Sequence, residues 1–373
     1  MKKIVVLGAG MVGGAIALDL SKDYSVTAVD IDEQKLSAIA SARIVTLRKD
    51  LNNENVIREI IKDFDLVISA VPGFMGFKTL KTVINASKDI VDISFFGEDP
   101  FELQMNAVSN NVTAVVDCGV APGMSNIILG YHNRRMEISS FKCYVGGLPF
   151  KRTLPYQYKA PFSPADVIEE YTRPARLVKD GKVILVPPMS EPELIDFDIV
   201  GTLEAFNTDG LRTLLNTMSI PDMHEKTLRY PGHIDLMKIF KDSGFFDKEP
   251  LNINGLKVSP VEFTSKLLFP QWQLQPGERE FTLMKIMIRG NENDGYKSYD
   301  YDLFDTYDAA TGTSSMARTT GYTCSAVANL ILKGMFNIKD ICPPEFVGAK
   351  EECFNFIIRY LENRNIVYKR TEK

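Results

Sequence analysis

The feature that most constrains this chain lies at residues 2–30, "KKIVVLGAGMVGGAIALDLSKDYSVTAVD". A short β-branched run ends at Gly8, a glycine-rich stretch opens a helical pattern, and "YSVTAVD" follows and ends in Asp30. A continuous apolar run of this length suits a parallel strand buried on both faces. Gly8, Gly10 and Gly13 are spaced G-x-G-x-x-G. Gly8 permits a tight turn, Gly10 leaves room for a pyrophosphate against the backbone, and Gly13 lets the helix pack close to the strand. The helix start, with Met11 and Val12 between the glycines, offers free N–H groups and a positive dipole end to phosphates.

Strand, glycine turn, helix and acid-ended strand form one βαβ unit of the dinucleotide-binding kind. Asp30, 20 residues after Gly10, is placed to accept hydrogen bonds from a ribose hydroxyl. Asp32 follows it, and no Arg or Lys occurs before Lys35. A 2′-phosphate would meet two acids there, so the reading is NAD over NADP. The alternation continues with strands expected at 41–51 (Asp50 near its end), 65–73, 89–94 and 112–119, separated by helical patterns. Ala70, Val71 and Pro72 end the fourth strand, where the nicotinamide ribose is expected. Asp92, Ser94 and Asp117 fall at carboxyl ends of strands, the side on which such sheets bind ligands.

The alternation stops near 125. Strands are expected at 138–149, 182–188, 193–200, 279–290 and 295–305, the last two joined by the hairpin signal "NEND" (291–294). Strands in succession indicate an α+β unit with a largely antiparallel sheet. Helices are expected at about 317–336 and over "EECFNFIIRYLENRN". The fold class is thus α/β: a Rossmann-type doubly wound parallel sheet plus an α+β domain. The division expected is 1–125, completed by 315–373, for the dinucleotide, and 126–314 for substrate binding and dimerisation.

Composition limits the function classes. A net charge of −5 without a long basic run argues against nucleic acid as a partner. Five scattered cysteines, an odd number with no C-x-x-C pair, and only three histidines argue against a disulfide framework or a metal site, and for a reducing, cytoplasmic compartment. The apolar run 4–18 is too short and too glycine-rich to span a membrane.

Taken together, "VLGAGMVGG", "DCGVAPGMSN", "YVGGLP", "LEAFNTDGLRTLL", "TLRYPGH", "MARTTGYT" and "PPE" resemble the saccharopine dehydrogenase-like oxidoreductases along essentially the whole chain, and most closely the lysine 6-dehydrogenase branch. The resemblance implies a homodimer formed largely through the second domain. It also implies NAD-dependent oxidation of the side-chain amine of lysine, with release of ammonia and cyclisation to a piperideine carboxylate. Relatives act on saccharopine or carboxynorspermidine. Saccharopine reductases tend to read Leu-Asp-Pro-Gly where this chain has Val120-Ala121-Pro122-Gly123. Ala121 therefore counts against saccharopine.

Oxidising an amine requires a base that neutralises it, alignment of its carbon for hydride transfer, and an anchor for the distal carboxylate. Asp117 and His233 are the candidates for base and proton shuttle. Arg229, Arg212 and Arg173 are candidate anchors, since an arginine fork matches a carboxylate. Asn207, Thr208 and Arg318 are further candidates for polar contacts with substrate. Cys118 and Ala121 are candidates to line the site, Cys118 as a small packing residue and not a nucleophile. Each has a plainer reading: Asp117 as an orienter or helix cap, His233 as a buried structural imidazole, Arg229 as a surface charge, 208–210 as a turn. A non-catalytic NAD-binding regulator is the alternative from another functional class.

Overall fold

The computed structural model describes residues 1–373 except 42, 161–163, 276 and 294, and the side chains at 164 and 165. It divides into two compact units, Met1–Glu137 with Met316–Val367, and Ile138–Ser315 with Tyr368–Lys373.

The first unit begins with β1 (Lys3–Leu7), α1 (Met11–Leu20), β2 (Ser25–Asp30), α2 (Glu33–Ile39), β3 (Ile44–Arg48), α3 (Glu54–Ile61), β4 (Leu66–Ser69), α4 (Gly73–Asn85), β5 (Ile90–Asp92), α5 (Gln104–Ser109), β6 (Ala114–Val115) and α6 (Met124–Asn133). Each strand pairs in parallel with its neighbours. Ile4, Val5, Val6 and Leu7 are all fully buried, as the unbroken apolar run requires when helices cover both faces. In α3 only Ile57 and Ile61 are buried, one turn apart on one stripe. The side chains of Asp32 and Asn53 cap α2 and α3 by accepting the N–H groups of Gln34 and Asn55.

The second unit contains β7 (Glu137–Pro149), α7 (Pro164–Thr172), β8 (Ala175–Lys179), β9 (Lys182–Val186), β10 (Glu193–Phe197), β11 (Gly201–Asn207), α8 (Leu214–Thr217), β12 (Asp222–Arg229), α9 (His233–Asp242), β13 (Leu251–Ile253), β14 (Leu256–Val258), α10 (Pro260–Trp272), β15 (Glu280–Glu292) and β16 (Gly295–Thr306). The chain continues with α11 (Ser315–Leu332), β17 (Ile341–Cys342), α12 (Pro344–Gly348), α13 (Glu351–Glu362) and β18 (Tyr368–Glu372).

β17 pairs with β6 and completes a seven-stranded parallel sheet of order β17-β6-β5-β4-β1-β2-β3. The order reverses between β1 and β4, and the carboxyl ends there mark the ligand crevice of such sheets. The other large sheet follows the order β10-β11-β12-β7-β15-β16-β18, with β8 and β9 attached to β12. It is mixed and mostly antiparallel: β12 runs parallel to β7, whereas β10–β11, β11–β12, β15–β16 and β16–β18 are antiparallel. Its core gathers Trp272, Tyr171, Phe206 and Phe281, all fully buried.

Several elements were not legible. The stretches 172–176, 206–215, 227–233 and 315–323 carry polar side chains beside glycine or proline, as loops do, yet they contribute to β8, β11, β12 and α11. Pro174 precedes β8, and Gly210 and Pro231-Gly232 follow β11 and β12, so these residues bound the strands instead of excluding them. Helices α2, α7, α9 and α10 were not anticipated, and neither was β17, a two-residue strand. Residues 368–373, expected to complete the dinucleotide domain, pair with β16 in the second unit. The hairpin signal "NEND" includes Asp294, which lies outside the described residues.

Candidate active site

In the first unit the glycine turn has the form a pyrophosphate cradle requires. Gly8 has a φ of +100°, and a Cβ there would stand 2.4 Å from the Ala70 carbonyl oxygen. A Cβ on Gly13 would stand 2.1 Å from the Gly8 oxygen. Strand β1, the turn after β4 and α1 are therefore locked together by two missing side chains. Gly10 differs: a Cβ there meets nothing within 4 Å, so its front is open space. Gly10 is also the N-cap of α1, with neither a side-chain cap nor an acid in the first turn. In a helix the first N–H groups, here those of Met11, Val12 and Gly13, have no acceptor one turn back. Open space plus uncapped donors at a helix N-terminus fits a pyrophosphate.

Asp30 is 9% exposed at the end of β2. Its Oδ2 accepts the Ala9 N–H at 2.8 Å and its Oδ1 the Asp32 N–H at 2.9 Å. Each oxygen keeps a second lone pair for a ribose hydroxyl. Asp32 is occupied in capping α2, and Asp50 accepts from Asn52. Ala70, Val71 and Pro72 form the turn from β4 into α4, where the Ala70 N–H donates to the Leu7 carbonyl at 2.8 Å. Arg48 stands at the end of β3. Its Nε donates to the Ile31 carbonyl at 3.1 Å. Counting residues after Asp30 cannot find it, because parallel pairing, not sequence proximity, sets Arg48 beside Asp30.

At the carboxyl ends of β5 and β6 the structure gathers buried acids. Asp117 is 2% exposed with a φ of +51°, a backbone region entered more readily by Asp than by most residues. Asp92 is fully buried; its Oδ2 accepts the Ser94 N–H at 3.1 Å. Burial pushes the Asp92 carboxyl up to about 7 against hydrogen bonds from Ser69 and Ser94, and the nearby Asp117 charge adds to the rise. Cys118 is fully buried, and burial first, then the charges of Asp92 and Asp117, push its thiol far above the usual range. Such a thiol stays protonated and is no nucleophile. Gly119 and Gly123 close the turn that follows: Gly123 has a φ of +137°, and a Cβ there would overlap the Gly119 oxygen at 1.9 Å. Ala121 on this turn is partly exposed. Arg318 is buried on α11, its Nη2 donating to the Arg364 carbonyl at 2.8 Å.

In the second unit Arg229 and His233 were expected to face a substrate, and the structure commits both to the interior. Arg229, 2% exposed at the end of β12, pairs with Glu170 at 2.6 Å. It also donates to the Tyr171 and Tyr158 hydroxyls and the Leu228 carbonyl. His233 is 1% exposed at the start of α9. Its Nδ1 lies 2.8 Å from the Tyr156 carbonyl and its Nε2 2.9 Å from the Tyr171 hydroxyl. A carbonyl only accepts, so Nδ1 carries the proton and Nε2 accepts from Tyr171. Burial, then the Arg229 charge, push the imidazole down to about 3. A neutral ring with both nitrogens engaged is not poised to take a proton from an amine.

The remaining candidates in this unit have partners within it. Asn207 donates to Ser190 and Glu191. The hydroxyls of Thr208 and Thr227 are 2.9 Å apart. The loop between β11 and α8 is held by Asp209, which takes a two-pronged contact from Arg176 at 2.8 Å per oxygen. Arg212 on this loop is buried, with a φ of +50°. Arg173 lies 3.7 Å from Glu169 one helical turn back.

Residues 4–115 match the profile "Saccharopine dehydrogenase NADP binding domain", and residues 119–367 match "Saccharopine dehydrogenase C-terminal domain". A saccharopine dehydrogenase [NADP(+), L-glutamate-forming] of Saccharomyces cerevisiae is 24% identical over 71% of this chain and 63% of its own length. One from Schizosaccharomyces pombe is 22% identical over 92% and 94%. The mitochondrial alpha-aminoadipic semialdehyde synthase of Mus musculus is 24% identical over 66% of this chain. The chain spans 29% of the length of that mouse relative. The fold superposes on apo saccharopine dehydrogenase (L-Glu forming) from Saccharomyces cerevisiae with a TM-score of 0.78 at 20% identity, covering both chains completely. Against the homospermidine synthase of Legionella pneumophila in complex with NAD the TM-score is 0.69 at 11% identity, covering 100% and 91%. With both profiles matched in succession along most of its length, the chain belongs to the saccharopine dehydrogenase family.

Proposed function

We propose that the protein catalyses NAD-dependent oxidative deamination of the side-chain amine of L-lysine, giving a semialdehyde that cyclises to a piperideine carboxylate, with ammonia and NADH. The observation that carries this choice within the family is Ala121 in "DCGVAPG". An alanine there removes the acid by which saccharopine reductases differ at the same turn. The bound nicotinamide supplies the hydride acceptor. The chain supplies the rest: the α1 N-terminus and Gly10 hold the pyrophosphate, and Asp30 holds the adenosine ribose, which favours NAD.

Proton handling falls to the acids behind Gly119. A carboxyl near 7, as for Asp92, is matched to accept and release protons at neutral pH. Asp117, its neighbour at the strand end, takes the role of base. Arg173 and Arg212, both in the second unit, are the anchors proposed for the substrate carboxylate, because Arg229 is paired with Glu170. A cytoplasmic homodimer completes the reading. All five cysteines are buried and free. Leu251, Ile253 and Leu256 expose more than half their surface on one small hairpin, a face of the kind that protein contacts cover.

The test is a panel of lysine, saccharopine and carboxynorspermidine, each with NAD and NADP, followed by the absorbance of the reduced nicotinamide. Lysine with NAD is expected to give the highest kcat/KM and to release ammonia. The names of the curated relatives favour saccharopine with NADP as the second reading; turnover of saccharopine without turnover of lysine would establish it. A chain that binds dinucleotide but oxidises none of the amines would be a regulator.

A further inference from the structure

We infer that Glu345 is a positioning residue for the reaction: through the Asn126 amide it holds the 119–123 turn, which carries Ala121 and follows Asp117. The inference rests on the reading above that proton transfer takes place at the acids behind Gly119, and it adds a residue that acts on them at one remove.

Strand pairing brings Glu345 to that place. β17 pairs with β6 so that Cys342 stands opposite Val115. Asp117 comes two residues after Val115 and Glu345 three after Cys342, so both leave the sheet at the same carboxyl edge. Pro344 opens α12, a position where its fixed φ suits the helix and its missing N–H is not needed, and Glu345 follows it. The backbone of α12 then lies directly on α6. A Cβ on Gly130 would stand 2.1 Å from the Glu345 carbonyl oxygen, and one on Gly348 1.9 Å from that of Ile127. Two missing side chains thus fix where the Glu345 side chain starts.

Glu345 and Asn126 are both fully buried. The Asn126 Nδ2 donates to Glu345 Oε2 at 3.1 Å, and its Oδ1 accepts the Gly123 N–H at 3.3 Å and the Ser125 hydroxyl at 3.0 Å. Both lone pairs of Oδ1 face donors, so a flipped amide would set N–H groups against N–H and O–H groups. An acceptor at position 345 pins the amide in the orientation that the turn requires. The turn is closed in the same way: the Met124 N–H donates to the Gly119 carbonyl at 2.9 Å, and the Gly119 N–H to the carbonyls of Pro122 and Asp117 at 3.1 and 3.0 Å. A buried acid from the C-terminal part of the chain thereby reaches, through a series of hydrogen bonds, the main chain of Asp117.

The test is steady-state kinetics of the full chain with NAD and whichever amine of the panel the wild type turns over fastest. NADH titration and amide hydrogen exchange of residues 117–126 accompany it, for the wild type, Glu345→Ala and Glu345→Gln. Glu345→Ala is expected to lower kcat by about ten- to a hundredfold, as a reacting group displaced by about 1 Å does. Its NADH affinity should stay within about twofold, because the phosphates are held at β1 and α1. Exchange should quicken in 117–126 and not in β1–β4. Glu345→Gln keeps an acceptor for Asn126 and should remain within about threefold of the wild-type kcat. Should Glu345→Ala not fold, Glu345→Leu combined with Asn126→Leu decides by the same criteria, since replacing both partners by apolar groups leaves neither unpaired. A wild-type kcat without the acceptor, equal losses in Glu345→Gln and Glu345→Ala, or a loss of NADH affinity that matches the loss of kcat would overturn the positioning role and leave the proposed function standing. A wild type that oxidises none of the amines would overturn both.

Discussion

The Asp30 carboxylate accepts the main-chain N–H of Ala9 at 2.8 Å, tying the end of β2 to the glycine turn 21 positions earlier. One side chain thereby shapes the glycine turn and, in the proposed site, would also hold the adenosine ribose. Asp30→Ala is expected to lower stability by about 1–3 kcal/mol, since two backbone donors lose a charged acceptor. It should also weaken NADH more than NADPH. Urea unfolding and a binding titration read the two effects separately. A variant as stable as wild type, with equal losses for both cofactors, would remove both roles.

Gly10 and Gly13 should separate binding from folding. Gly10→Ala places a methyl group in open space at a φ of −65° that alanine adopts freely. Stability should stay within about 0.5 kcal/mol of wild type. Dinucleotide affinity should fall by at least about tenfold, because the methyl group occupies the approach to the backbone. Gly13→Ala drives a Cβ to 2.1 Å from the Gly8 oxygen, and overpacking of this kind costs about 1–3 kcal/mol. Calorimetry beside the titration would show whether the two effects divide this way.

His233 sets an acid limit on stability. Its folded pKa, about 3, lies below the ordinary 6.5, so above pH 6.5 folded and unfolded chains are both neutral and no term arises. Between about pH 6.5 and 3 the unfolded chain takes the proton and the folded chain does not. Stability therefore falls with decreasing pH, by on the order of 1.4 kcal/mol per unit. His233→Asn is less stable at pH 7, since Tyr171 loses its acceptor, yet its pH profile over this window should be flatter. His224, whose imidazole is pushed down to about 4 by burial and then by the Lys142 and Lys226 charges, remains in both proteins, so the difference in slope isolates His233. Parallel profiles would mean that His233 titrates normally.

Asp92 works in the opposite direction. Its carboxyl is raised to about 7, so between about pH 4 and 7 the unfolded chain loses a proton that the folded chain keeps. Stability then falls as pH rises through that window and levels off above 7. Asp92→Asn should lack this fall and become more stable relative to wild type at pH 8 than at pH 4, by on the order of a few kcal/mol. If the proton also serves catalysis, the same variant loses the corresponding inflection in kcat against pH. A constant stability difference from pH 4 to 8 would place Asp92 in the ordinary carboxylate range.

Much of the first unit was legible because its signals are local. Parallel strands buried on both faces appear as apolar runs, and the glycine spacing reflects steric demands within a few residues. The substrate candidates were less legible. "TLRYPGH" has the polar residues of a binding loop, and Pro231-Gly232 suggests a turn. Only the pairing of β12 with β7 and β11 shows that Arg229 ends a central strand and meets Glu170 in the interior.

By itself the sequence determined the βαβ start, the change from parallel to mostly antiparallel strands, and the family. Each is encoded in periodicity, in glycine spacing or in ordered motifs that survive without coordinates. The tertiary structure decided what each charge faces. It turned Arg229 and His233 inward onto Tyr171, set Arg48 beside Asp30, and brought Asp117 close enough to affect Asp92. The physical reason is that hydrogen bonds, ion pairs and shifted pKa values depend on distance and burial. Strand pairing and packing create these between residues that the sequence keeps far apart.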